Sequence, residues 1–167
     1  MIVSNETIVK EWLHVKRSRP ADFDLETFLP YRLSVATNRV SRAFAAQYEQ
    51  EFGISIPEWR VIAVLGAFAP LSSNEICERT AMDKAKVSRA VASLLKRGLV
   101  EREAHETDQR LIQLTLSKAG RKTYEAIIPR ARAIEAEVTK GLSKADIAHL
   151  HRVLDQVGAR LDEIQSD

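Results

Sequence analysis

The sequence predicts a mainly α-helical protein that carries one small β-hairpin. Apolar residues recur at three- and four-residue spacing over most of the chain, which is the period of amphipathic helices. Serine or aspartate stands before several of these stretches and glycine follows some of them, as expected at helix ends. Only residues 100–103 and 111–116 have the pattern of short strands. A chain of 167 residues with 45% hydrophobic content fits one domain, or one domain with a dimerisation arm.

Long helices are expected towards both ends of the chain. Gly53 ends the first of them, over about residues 28–51, because glycine tolerates the left-handed conformation found at helix ends. Ser117 caps a helix that runs to about residue 141, and Ser143 caps the last one with Asp146 three residues later. Their apolar stripes are too extensive for solvent-exposed arms, so we expect these helices to pair across a two-fold axis.

The central part is expected to form two short helices and then a hairpin. Ser72 or Ser73 caps the first helix, and Asp83 caps the second, which Gly98 ends. The polar loop 104–110 then joins the two strands as a wing. A helix, a turn, a second helix and a charged hairpin in this order are typical of a winged helix-turn-helix, whose second helix enters the major groove of DNA.

The second of these helices has an apolar face and a basic face. The apolar side packs onto the domain, and the opposite side is small at its middle and charged or hydroxylated around it. Arg89 is the candidate for base contact, because a guanidinium can hold guanine O6 and N7 together. The candidates for phosphates or neighbouring bases are Lys84, Lys86, Ser88, Ser93 and Lys96. The alternative is an amphipathic helix with a solvated basic face.

The wing supplies the other candidates for DNA contact, namely Arg102, His105, Thr107, Asp108, Gln109 and Arg110. The Asp108 carboxylate can hold the Arg110 guanidinium extended towards the minor groove, although the same pair could simply fasten the loop. Residues 84–110 contain seven Lys and Arg against four Asp and Glu, whereas the whole chain has a net charge of only +2. This local basic surface favours a nucleic-acid partner.

Together these motifs resemble the MarR family of bacterial transcription regulators. The resemblance covers about 140 residues and rests on residues 73–76, 82–89, 94–102, 108–110, 114–115 and 118–120. It implies a homodimer with one wing per subunit, and an arginine at position 110 that enters the minor groove. Gln109 departs from the family, which often has a second arginine there, and the N-terminus is some 25 residues longer than typical. The expected domains are an N-terminal extension over 1–27, a winged helix-turn-helix over 57–116, and dimerisation helices over 28–56 and 117–167.

The expected function is a repressor that a small-molecule effector releases from a pseudo-palindromic operator. The resemblance implies phenolic or aromatic acids, bound between the dimerisation arm and the DNA-binding lobe. The candidate lining residues are Trp12, His14, Arg32, Arg39 and Trp59. Arg39 would clamp a carboxylate. The alternatives are ordinary helix surface or an ion pair for the arginines, a surface position for the histidine, and core packing for the tryptophans.

Other classes of function have weaker support. Four scattered histidines and one cysteine give no catalytic or metal-binding pattern, and no phosphate-binding glycine loop is present, so no enzyme, cofactor or metal is expected. A thiol-redox regulator acting through Cys77 is one alternative, disfavoured because Cys77 is expected to point partly into the core. A winged-helix adaptor or architectural protein without sequence preference is another. The absence of a signal-peptide-like segment leads us to expect a cytoplasmic protein without a membrane partner.

Overall fold

The computed structural model of the chain describes residues 23–104 and 112–166. The mainly helical fold class with a two-stranded hairpin is confirmed. The elements of the described residues are α1 Leu29–Phe52, α2 Ile56–Phe68, α3 Ser73–Thr80, α4 Lys84–Lys96, β1 Val100–Ala104, β2 Ile112–Leu116, α5 Lys118–Val138 and α6 Lys144–Ser166. Among these described helices, none is long and apolar enough to cross a membrane.

The chain divides into two compact units, residues 1–39 and residues 40–167. In the described part of the first unit, a turn organised by Asp24 precedes α1. The Asp24 carboxylate accepts a hydrogen bond from the Glu26 backbone N–H at 3.0 Å. The Asp24 backbone carbonyl accepts one from the Thr27 hydroxyl at 3.2 Å. The rings of Phe23 and Phe28 pack beside this turn, with centroids 5.0 Å apart. Most of the predicted N-terminal extension, residues 1–22, lies outside the described residues.

The core of the second unit is built around α2. Residues from α2, α3, α4, the hairpin and α5 meet there, and the most deeply buried large side chains are Ile54, Val61, Ile62, Leu65, Ile76, Val87, Leu94, Leu114 and Ile127. Burial of each such side chain contributes about 1.5–3 kcal/mol. The winged helix-turn-helix and the start of α5 therefore share one continuous core, which holds α4 in place.

The predicted caps are found at the starts of α3, α4 and α6. The Ser72 hydroxyl accepts a hydrogen bond from the Glu75 N–H at 3.3 Å, and the Glu75 carboxylate accepts one from the Ser72 N–H at 2.7 Å. Asp83 accepts a hydrogen bond from the Lys86 N–H at 2.7 Å. Ser143 and Asp146 form the reciprocal pair expected from their spacing, with bonds of 2.9 and 3.1 Å. Each cap satisfies backbone donors that a helix start leaves unpaired.

The hairpin is antiparallel, and Val100 pairs with Leu116 at its base. The chain just before α3 joins this hairpin, since Leu71 and Leu114 exchange backbone hydrogen bonds of 3.2 and 2.8 Å. The sequence did not predict this third contribution to the sheet. The sequence also did not predict the backbone conformation of the turn between α3 and α4. Ala81 is left-handed there, with φ +50°, which alanine rarely adopts. Such a conformation costs a residue with a side chain about 1–2 kcal/mol.

Candidate nucleic-acid interface

Helix α4 presents its basic side to solvent and its apolar side to the core, as the sequence predicted. Val87, Ala90, Val91 and Leu94 are buried, and Leu95 is half-buried against the core. The exposed residues of the outer side are Lys84, Ala85, Lys86, Ser88, Arg89, Ala92 and Lys96. Ala85 and Ala92 have small side chains and stand between the cationic residues, so a nucleic-acid duplex can approach the helix backbone closely.

Asp83 adds an ordered carboxylate at the start of α4. Hydrogen bonds from the backbone N–H of Lys86 and then from its ammonium group hold the pKa of Asp83 below its usual range, and Arg89 adds to the effect. Lys86 Nζ lies 3.0 Å from Asp83 Oδ2, and both side chains are more than half exposed. Exposed ion pairs of this kind are weak. Lys86 can therefore exchange this carboxylate for a phosphate without a large loss.

A shallow pocket brings three of the predicted contact residues together. Lys84 and Ser88 of α4 and Arg102 of β1 line a cavity of about 290 Å³ between α4 and α3. Val87 and Val91 form part of its apolar wall, and Cys77 also lines it. Cys77 is half-buried and packs partly against the core, as expected, but it also faces this pocket. We call this cavity the α3–α4 pocket.

Ser93 is oriented differently from the helical-wheel prediction. The wheel predicts an exposed DNA contact at Ser93, but this residue is half-buried and its hydroxyl donates a hydrogen bond to Glu58 Oε1 at 2.6 Å. Glu58 belongs to the first turn of α2 and is only 7% exposed. A helical wheel considers only the residues of one helix and cannot show a partner on α2. The buried Glu58 carboxylate needs hydrogen-bond donors, and the Ser93 hydroxyl supplies one. Ser93 therefore has a structural role in the described chain.

Glu58 is the centre of a polar cluster that the sequence did not predict, formed with Ser55, Ser93 and Arg97, which we call the Glu58 cluster. Its Oε2 accepts hydrogen bonds from the backbone N–H of Ser55 at 2.8 Å and from the Ser55 hydroxyl at 2.7 Å. Arg97 Nη1 lies 3.6 Å from Oε1. Burial alone would raise the pKa of Glu58, but the hydrogen bonds from Ser93 and Ser55 and the Arg97 charge together lower it. Glu58 is therefore ionised at neutral pH.

The base of the wing is fixed to the start of α5. The Ser117 hydroxyl donates to the Gly98 carbonyl at 2.7 Å and accepts from the Gly120 N–H at 3.0 Å. The Ser117 N–H also donates to the Leu99 carbonyl at 3.1 Å. Arg102, the third residue of β1, is exposed. The remaining wing candidates, His105, Thr107, Asp108, Gln109 and Arg110, lie outside the described residues.

The effector candidates are distributed over both units. Trp12 and His14 lie outside the described residues, and Arg32 and Arg39 are exposed on α1 within the first unit. Trp59, in the second unit, packs between Tyr48 and Tyr124, with ring centroids 5.7 and 6.3 Å away. Core packing, the alternative considered for Trp59, therefore describes its position.

A separate apolar cavity of about 360 Å³ lies between α1 and α5. Val40 and Phe44 line it from α1, and Ile128, Ala131 and Val138 line it from α5. The spacing of Val40 from the apolar residues Leu33, Ala36 and Phe44 predicts a core position, but its side chain is 38% exposed. The helical period correctly placed Val40 on the apolar stripe, and it could not show that this part of the stripe is left uncovered in a single chain.

Comparison with known proteins gives consistent matches. The MarR family profile matches residues 52–111. The HTH-type transcriptional regulator BilQ of Clostridium symbiosum is 28% identical over 109 residues, covering 65% of this chain and 76% of its own length. A MarR/EmrR family regulator from Acinetobacter sp. ADP1 superposes with a TM-score of 0.79 at 26% identity, over 84% of this chain and 99% of the other.

A MarR family regulator from Listeria monocytogenes, whose structure contains a 26mer DNA, shares the fold with a TM-score of 0.73 at 17% identity, over 79% of this chain and 87% of its own. These matches agree with the helix-turn-helix and the hairpin of the described chain. The family match over residues 52–111 and the similarity to these regulators support a MarR-family winged helix-turn-helix transcription regulator that binds DNA.

Proposed function

We propose that this chain is a cytoplasmic, sequence-specific repressor that binds a pseudo-palindromic operator as a homodimer and is released by a small-molecule effector. The observation that carries the proposal is the two-sided character of α4. One side is buried in the core and the other presents Lys84, Arg89 and Lys96 to solvent. A helix held this firmly, with cations and small residues outward, is suited to the major groove.

Arg89 is the residue that we propose reads a base, and Lys84, Lys86, Lys96 and Arg102 bind phosphates. A bidentate arginine–guanine pair gives about 1–3 kcal/mol of discrimination between bases, whereas phosphate contacts give affinity without preference. Ser88 is exposed beside Arg89 and can serve either role. Arg110 and its neighbours in the wing complete the proposed interface in the minor groove, by analogy with the family.

The homodimer is supported by apolar side chains that the described chain leaves in solvent. On α6 and just before it, the large exposed apolar residues are Leu142, Leu150, Val153, Leu154, Leu161 and Ile164. A helix with such a stripe gains stability by pairing it with another apolar surface. A two-fold pairing of identical chains buries the stripe on both and places two α4 helices about one DNA turn apart, roughly 34–36 Å.

The effector that we propose is a small aromatic acid. Two exposed guanidinium groups on α1, one of the proposed dimerisation helices, support an acidic ligand. Arg32 and Arg39 lie seven residues apart on α1, which places them on the same side of the helix. A guanidinium binds a carboxylate in bidentate fashion. Preference of the acid for a conformation that cannot bind DNA would weaken operator binding, with a typical coupling of about 1–3 kcal/mol.

The test is a fluorescence-anisotropy titration at fixed salt with the 30-base-pair duplex that the wild-type protein selects from a random library. Arg89→Ala should lose preference at one base position, by about 1–3 kcal/mol, because the duplex then meets only phosphate contacts there. Arg160→Ala, a change of the same type at an exposed arginine on α6, is the control and should keep full preference. Equal affinity for selected and random duplexes would favour the architectural alternative. A panel of aromatic acids added to the complex then tests release.

A further inference from the structure

We infer that the Glu58 cluster is the joint that positions α4 on DNA, with Glu58, Ser93 and Arg97 as positioning residues that need not contact DNA themselves. The inference rests on the proposed function, since it assigns a role in operator recognition. It concerns the contacts that the C-terminal end of α4 makes with α1 and α2, rather than the exposed side chains that are proposed to read bases. Three elements meet at this cluster, namely the end of α1, the first turn of α2 and the last turn of α4.

Arg97 makes the connection to α1. Its Nη1 donates to the Gly53 carbonyl at 2.9 Å and its Nη2 donates to the Phe52 carbonyl at 3.0 Å. These carbonyls belong to the end of α1, where backbone acceptors lack helical partners and the helix dipole favours a cation. The same guanidinium lies within 3.6 Å of Glu58. One side chain from the end of α4 therefore contacts both neighbouring helices.

Ser93 and Glu58 supply the second connection. Ser93 precedes Arg97 by four residues, so both side chains leave α4 on the same face, one turn apart. The Ser93 hydroxyl donates a hydrogen bond to Glu58 Oε1 at 2.6 Å, while Oε2 is held by Ser55, the residue that caps the start of α2. A charge buried to this degree is strongly disfavoured when it loses its donors. The last turn of α4 therefore cannot slide along α2 without leaving Glu58 underpaired.

The Glu58 cluster lies at the C-terminal end of α4, so a small rotation of the helix there displaces Arg89 by a larger distance. Arg89 lies eight residues before Arg97, which is about 12 Å along the helix axis. A tilt of α4 by about 10° around its last turn would move Arg89 by about 2 Å, enough to break hydrogen bonds to a base edge. Movement at the end of α1 would be transmitted to α4 through Arg97. The cluster thus controls whether the two α4 helices of a dimer match the two halves of an operator.

The experiment compares duplexes that differ only in the distance between half-sites. The wild-type protein first selects a 30-base-pair duplex from a random library, and one base pair is then inserted at its centre. Anisotropy titrations with both duplexes are made for wild type, Ser93→Ala, Arg97→Lys and Arg97→Gln. The control is Arg130→Gln, which breaks an exposed ion pair of 3.3 Å between Arg130 and Glu51 at the same end of α1. Melting curves show that each variant is folded at the titration temperature.

We expect the insertion to weaken wild type and Arg130→Gln by about tenfold or more, since it moves the half-sites apart and rotates them. Ser93→Ala and Arg97→Gln should bind the selected duplex less tightly and lose most of this spacing dependence. Arg97→Lys, which can satisfy one carbonyl but not all three partners, should lie between. Ser93→Ala keeps a good helix former at the position, so it decides the matter if Arg97→Gln does not fold.

Full spacing dependence in folded Ser93→Ala and Arg97→Lys would overturn the inference. If wild type selects no sequence, the proposed function fails, and hydrogen exchange of the free protein then decides whether the joint exists. Ser93→Ala should speed exchange in peptides from both α4 and the end of α1, whereas Arg130→Gln should leave α4 unchanged. Faster exchange in α4 alone would refute a coupling between the two helices.

Discussion

Replacing Gly120 by alanine should separate the base of the wing from α5. A Cβ atom at Gly120 would overlap the Leu99 carbonyl oxygen and lie 2.9 Å from the Leu99 carbonyl carbon. Both of these are backbone atoms, so no side-chain rotation can relieve the contact. The Leu99 carbonyl also accepts the Ser117 N–H, so the start of α5 and the cap that holds it must shift together.

The magnitude follows from what has to move. Overpacking against a fixed neighbour costs about 1–3 kcal/mol, and loss of a serine cap costs about 1 kcal/mol, so Gly120→Ala should destabilise by about 2–4 kcal/mol. Gly66→Ala should cost less, about 1–2 kcal/mol, because its Cβ would lie 2.5 Å from the Tyr124 ring, a side chain that can shift by local repacking where a backbone carbonyl cannot. Gly158→Ala has nothing within 4 Å of its Cβ and should stabilise α6 by about 0.5–1 kcal/mol.

Thermal melts followed by circular dichroism at one protein concentration would rank the three variants. For a chain of this size each kcal/mol corresponds to about 2–4 °C, so Gly120→Ala should melt about 4–16 °C below wild type. Gly66→Ala should fall between Gly120→Ala and wild type. The reasoning would be refuted by a Gly120→Ala protein that melts with wild type or above Gly66→Ala. Destabilisation by Gly158→Ala would place a second chain against that face of α6.

Four further outcomes are expected. The pKa of Glu58 is lower in the folded chain than its ordinary value of 4.5, so ionised Glu58 stabilises the fold above pH 4.5. This stabilisation is lost as the pH falls through the lower pKa of the folded chain. The free energy of unfolding should therefore fall less in Glu58→Gln than in wild type below about pH 4.5. Lys84→Ala should reduce the slope of log K against log salt for DNA binding by about 0.9, and an unchanged slope would remove Lys84 from the phosphate contacts. Mild peroxide should leave DNA affinity unchanged, whereas a loss that Cys77→Ser abolishes would establish the thiol-redox alternative. Leu154→Glu should convert a two-chain species to one chain by light scattering, and an intact dimer would remove α6 from the interface.

Local signals in the sequence carried most of the fold. The caps at Ser72, Asp83 and Ser143 depend on partners three residues away, so their residue types alone identify them. The buried side of α4 follows from its helical period, because its apolar residues have a single core to face. Elements defined by such short-range rules were therefore predictable.

Contacts between distant segments were not predictable in the same way. Ser93 has the residue type and spacing of an outer contact, and only the fold brings it to Glu58, 35 residues earlier. The spacing of Ser93 and Arg97 was visible, but the acceptors of Arg97 lie 44 and 45 residues away. Val40 shows the converse case, since its helical period indicates a buried position whereas its side chain is 38% exposed in the described chain. The sequence thus predicted the exposed residues of the candidate site and missed the contacts that join α4 to α1 and α2.

The most direct test of the central proposal is the ratio of affinities for the wild-type-selected duplex and a random duplex of equal length at 150 mM salt, measured for wild type and Arg89→Ala. Specific binders of this kind typically prefer their sites by about 10³-fold or more. We expect wild type to show such a ratio and Arg89→Ala to lose about tenfold or more of it, with little change in affinity for random DNA. An unchanged ratio in folded Arg89→Ala would contradict base reading by α4, and a wild-type ratio near one would contradict sequence-specific regulation altogether.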